Sequence, residues 1–104
     1  KIPLDNQWVD IDYLDNYEDF TYDNVNFGTL PDLVNELHSK NMHFVPIIDA
    51  GIAKIDGSKA YDEGKQDDVF IKAYDNKTDF VGTVWPGDAV FPDWSKNDTS
   101  VSWW

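Results

Sequence analysis

Cysteine is absent from the 104 residues, which removes disulfide scaffolds, thiolate zinc sites and cysteine nucleophiles from consideration. Arginine is absent as well: all eight basic residues are lysine, set against seventeen Asp and three Glu for a formal charge of −12. A surface of that sign repels phosphate backbones and anionic head groups, so nucleic acid and membrane surfaces are poor partners. No apolar run approaches the roughly 18 residues of a spanning helix, and Lys1-Ile2-Pro3-Leu4-Asp5 lacks the apolar stretch of a signal peptide. Glycine-rich phosphate loops and nucleophile elbows are missing. His38 and His43 are five apart, not the four of a helical zinc pair, and no aspartate spacing fits a calcium loop. No cofactor or metal is expected; the one metal pattern left open is an Asp-x-Asp site at Asp10 and Asp12.

What remains is apolar enough to fold. Hydrophobic residues make up 41% and aromatics 15%, with five Trp, too rich a mixture for a disordered acidic tail. A chain of this length buries roughly 65% of its unfolded surface, enough for one small domain at most. It opens just before a strand pattern and closes on Trp103-Trp104, and so reads as a piece of a larger domain.

The spacing of apolar residues predicts two parts, residues 1–54 and 55–104. In the first, Ile2, Leu4, Trp8, Val9 and Ile11 form an extended run ending in the acidic stretch Asp10-Ile11-Asp12-Tyr13-Leu14-Asp15. Residues 15–28 have loop composition, closed by Gly28. Thr29 then starts a helix, with Asp32 in capping-box spacing and Pro31 in the first turn. Leu30, Leu33, Val34 and Leu37 repeat as one apolar stripe facing a sheet, and Asn41 is the stop. His43-Phe44-Val45-Pro46-Ile47-Ile48, nearly continuous in apolar character, suits a parallel strand covered on both faces. Strand, helix and strand in that order imply a right-handed crossover.

In the second part, Val69–Tyr74 and Phe80–Trp85 flank the polar residues 75–79 and predict a β-hairpin. Pro86-Gly87 is expected to break its second arm, and Phe91-Pro92-Asp93-Trp94 to form a rigid corner. Trp8, Trp94, Trp103 and Trp104 are expected in packing.

Asp10 and Asp12 end one strand and Asp49 ends the next parallel one, the edge at which α/β folds bind ligands. Acids gathered there bind hydroxyls, hold a metal or transfer protons, although three solvated loop acids would satisfy the same spacing. Trp85, fixed between a strand end and a Pro-Gly corner, can wall a pocket or pack in a core. A carboxylate edge beside an aromatic face suits a sugar, whose hydroxyl rim and apolar C–H face need both. Asn76-Lys77-Thr78 and Asn97-Asp98-Thr99 are glycosylation triplets and hint at a secreted or lysosomal protein.

Ile2-Pro3-Leu4-Asp5-Asn6-Gln7-Trp8-Val9-Asp10-Ile11-Asp12-Tyr13 resembles the second-strand signature of glycoside hydrolase family 31, the α-glucosidases. The resemblance continues in family order through Asp19–Asp23, Leu33–His38, Tyr61–Gly64, Val69–Lys72, Gly82–Gly87 and Phe91–Asp93. It implies an α/β fold: a segment of a (β/α)8 TIM barrel, comprising strand two, helix two and strand three, with an inserted β-hairpin subdomain and the start of helix three. It further implies a retaining, exo-acting enzyme acting on maltose-like oligosaccharides or glycogen. Asp10 would bind hydroxyls of the terminal glucose, Ile11, Ile47 and Trp85 would line the same subsite, and Asp12, Asp49 and Asp93 would support it. In the family the nucleophile and the acid/base lie downstream, so the segment depends on the rest of the parent catalytic domain. A non-catalytic sugar-binding or scaffold relative would share these features. One departure is Asp49-Ala50-Gly51-Ile52, where Asp-Pro-Ala-Ile is common, and this is expected to loosen the loop.

Overall fold

The computed structural model describes residues 3–104, so Ile2 of the expected first strand lies outside the described residues. The chain divides into two units, Lys1–Ile48 and Asp49–Trp104.

In the first unit, β1 (Asn6–Val9) and β2 (His43–Pro46) pair in parallel, with Trp8 opposite Val45, and α1 (Leu30–Ser39) connects them. The first strand is shorter than its apolar pattern. Asp10 accepts a hydrogen bond from the Ile11 amide and caps a 3-10 turn over Ile11–Tyr13, which ends the strand before Ile11. β2 also stops early, at Pro46, and it alternates exposed and half-buried residues where cover on both faces was expected. Two strands and one helix cannot enclose a parallel sheet: Trp8 is 54% exposed, and of the α1 stripe only Leu37 is buried.

The predicted capping box does not form. The Leu30 amide bonds to the Phe27 carbonyl, so the chain is already turning before the helix, and Thr29 has near-helical angles (φ −94°, ψ 7°). A side-chain cap needs extended backbone at that residue. Asn41, at φ 56°, ends the helix in the left-handed conformation, with its amide on His38 and that of Met42 on Leu37.

In the second unit, β3 (Ile52–Ala53), β4 (Gly82–Val84) and β5 (Gly87–Val90) form an antiparallel sheet in the order β3-β5-β4, beside α2 (Lys59–Gln66) and α3 (Asn97–Trp103). Ile52, Tyr61, Val69, Phe70 and Val90 make its core. Phe70 stacks on Tyr61 and meets Trp103 edge-on. The expected hairpin is relocated. Its arms meet at the Lys72–Asp79 bridge, closed by Ala73–Thr78 and Phe80–Ile71 bonds, because Val69 and Ile71 pair instead with residues 91–93. The longer hairpin is β4–β5, and Pro86-Gly87 turns its chain back where a break was expected: Pro86 fixes its own φ and Gly87 supplies φ 99°. α2 had no clear apolar stripe in the sequence; it buries Tyr61 and Gly64 and packs Ala60 against the core. Of the four Trp expected in packing, Trp103 lies against the core and meets Trp104 edge-on, Trp104 in turn meets Trp94 edge-on at 5.3 Å between ring centroids, and Trp8 is left 54% exposed.

Candidate functional site

The β4–β5 turn places Trp85 at its tip, 68% exposed, where the ring serves the core least. Within the same unit Asp49, Ala50, Gly51, Thr83, Val84, Trp85 and Phe91 line an open hollow of about 540 Å3. That is the volume of a small-ligand site, apolar with few polar groups. Of the residues singled out in the sequence, Asp49 and Trp85 are thus brought to one cavity. Thr83, Gly51 and Phe91 also line it and carried no signal beyond their neighbourhood. Gly51 is buried, and a Cβ there would lie 2.7 Å from Val84 Cγ2 and 3.4 Å from the Phe91 ring. The glycine therefore allows close approach of the loop to β4.

In the first unit Asp10 and Ile11 follow β1 directly, and Asp10 is exposed. Ile47 follows β2, its amide bonded to the Val9 carbonyl at 3.1 Å and its own carbonyl accepting from the Tyr13 hydroxyl at 2.8 Å. Asp10 and Ile47 thus sit at the same ends of paired strands. Tyr13 was not singled out in the sequence as a site residue, although it closes the Asp-Ile-Asp-Tyr stretch. It is 7% exposed, and burial, then the charge of Asp19, pushes its phenol above the ordinary range. Asp12 lines a smaller polar hollow with Leu14, Asn16, Tyr17 and Asp23. There the Asn26 side chain and the Asn26 and Val25 amides hold Asp23 below its ordinary value.

Asp93 is a turn residue: the Ser95 hydroxyl and amide donate to Oδ1 at 2.6 and 3.0 Å and lower its pKa. Among the described residues no group of three or more His, Cys, Asp or Glu is arranged to hold a metal ion, and no helix is long and apolar enough to cross a membrane.

Two parallel strands joined by a helix, with acids following the first strand, make one βαβ unit of the α/β class. The chain belongs to glycosyl hydrolase family 31: that family's TIM-barrel domain matches residues 1–104. It is 40% identical to rabbit (Oryctolagus cuniculus) intestinal sucrase-isomaltase and 41% identical to mouse (Mus musculus) lysosomal alpha-glucosidase, over 99% and 98% of its length. It superposes on the crystal structure of the DNJ-bound glucosidase II alpha subunit with a TM-score of 0.89 at 31% identity, over 98% of this chain and 11% of that one. The chain spans only 6% of the rabbit protein and 11% of the mouse one.

Proposed function

We propose that this segment supplies substrate contacts to a retaining, exo-acting α-glucosidase that releases terminal α-linked glucose from maltose-like oligosaccharides or glycogen. In this proposal β1, α1 and β2 are the second strand, second helix and third strand of the barrel, and residues beyond them form the insertion. Asp10 binds glucose hydroxyls, Ile11, Ile47 and Trp85 wall the subsite, and Asp12, Asp49 and Asp93 support it. The nucleophile and the acid/base, two carboxyls about 5 Å apart in a retaining enzyme, come from the rest of the parent domain. A secreted or lysosomal location belongs to the same proposal.

One observation carries it: Asp49 and the exposed indole of Trp85 line the same open hollow. An aromatic face covers the apolar side of a pyranose, and Asp49 gives the hollow that Trp85 walls a polar edge.

The test is Asp10→Ala in the full-length parent. A lost charge-assisted hydrogen bond of about 1.5–3 kcal/mol corresponds to a roughly 10- to 150-fold lower kcat/KM on maltose. Unchanged maltose hydrolysis would remove Asp10 from the subsite.

A further inference from the structure

We propose that Asn76 is an N-glycan acceptor and that Tyr74 is the platform on which the first sugar of that glycan rests. The inference rests on the secreted or lysosomal location proposed above and is argued from the turn between Lys72 and Asp79.

Asn76-Lys77-Thr78 sits at the tip of this turn with all three residues exposed. The backbone there is fixed: the Ala73 amide donates to Thr78 at 2.8 Å and the Asn76 amide to Ala73 at 2.9 Å. One Asp75 oxygen accepts from the Lys77 and Thr78 amides and the other from the Thr78 hydroxyl, all at 2.9 Å. Asn76 itself is left-handed, at φ 54°, a conformation asparagine tolerates better than most residues. Bulk added at this tip meets solvent, and glycans are carried at such positions.

Tyr74, two residues before the acceptor, has a relative exposure of 108% and no ring contact among the described residues. Packing does not account for a tyrosine placed there. The apolar C–H face of an N-acetylglucosamine on Asn76 would cover its ring, while the sugar's hydroxyls stay in water. The second triplet provides an internal contrast. Asn97 is also exposed, but it lies within α3, and the residue two before it is Ser95, which has no ring to offer.

The transfer balances with a polyprenyl-diphosphate-linked oligosaccharide as donor. The side-chain nitrogen of Asn76 bonds to the anomeric carbon, and the anomeric C–O bond to phosphate breaks. The diphosphate leaves with the bonding electrons, and an amide proton passes to a base of the transferase.

The experiment uses the full-length parent directed through a eukaryotic secretory pathway. Peptide-N-glycosidase digestion in heavy-oxygen water followed by peptide mass spectrometry reads occupancy, and the result expected is labelled aspartate at position 76. Unlabelled asparagine there overturns the proposal. Hydrogen exchange of the turn, in glycosylated protein and in protein made with N-glycosylation inhibited so that residue 76 stays asparagine, reads the platform. Absence of the glycan is expected to speed exchange of the Asn76 and Thr78 amides about threefold in the parent and in Tyr74→Phe, and not in Tyr74→Ala. Equal acceleration in Tyr74→Ala would overturn the role of the ring.

Discussion

The Tyr13 hydroxyl donates a 2.8 Å hydrogen bond to the Ile47 carbonyl, 34 residues away in sequence. The donor follows the Asp10-Ile11-Asp12 turn and the acceptor follows β2, so one bond ties the two strand ends that carry candidate subsite residues. Tyr13→Phe leaves a half-buried carbonyl without its donor and is expected to cost about 1–2 kcal/mol, read as a lowered thermal midpoint of the parent protein. An unchanged midpoint would show that water replaces the hydroxyl.

The same phenol has a pH signature. Its pKa is raised above 10.0 by burial and by Asp19, so the stability it contributes is complete below pH 10 and is lost as the pH rises through the folded-state value. Difference absorbance in an alkaline titration of the parent should show a high-pH tyrosine component that is missing from Tyr13→Phe.

Gly64 lies in α2 under the Phe70 ring. A Cβ there meets the ring's Cζ atom, with Cε2 and Cε1 at 3.0 and 3.1 Å, and Phe70 is fully buried. Gly64→Ala gains about 1 kcal/mol of helix propensity but overpacks the core by about 1–3 kcal/mol, so a net loss is expected in thermal unfolding. A stabilised variant would mean that the ring can move aside.

Asp68 joins two lysines. Hydrogen bonds from Lys72 and then Lys96 hold its carboxyl below the ordinary 3.8, while Asp68 and Asp79 push Lys72 above 10.5. The cluster therefore stabilises fully between about pH 4 and 10, is lost on the acid side below pH 3.8 and on the alkaline side above 10.5. Added salt should weaken the exposed Asp68 arm most, and the Lys72–Asp79 pair, whose side chains are 25% and 19% exposed, least. Limited proteolysis of residues 67–80 across pH reads the effect; a pH-independent cleavage rate would contradict it.

Trp85→Ala separates ligand contact from folding. With 68% of the residue exposed, the midpoint should move little, while KM for an α-glucoside rises about tenfold, the equivalent of about 1.4 kcal/mol of lost aromatic cover. An unchanged KM would leave Trp85 outside the subsite.

Legibility in the sequence followed the range of the forces involved. α1 could be read because its stripe, Pro31 and the Asn41 stop are local, and the parallel strands because their apolar runs flank it. Thr29 misled because its capping depends on the angle at which the chain arrives, which the preceding turn at Phe27 sets. α2 was hidden because it sets no more than Ala60, Tyr61 and Gly64 against the core, the last under a ring supplied from position 70.

By itself, then, the sequence determined the elements whose hydrogen bonds and apolar periodicity close within a few residues, and through its ordered motifs the family. Tertiary structure alone decided which strand partners β4, that Trp85 faces solvent beside Asp49, and that Tyr13 anchors Ile47. Those outcomes turn on packing between distant residues, where Phe70 and Val69 claim the core and so redirect the strands around them.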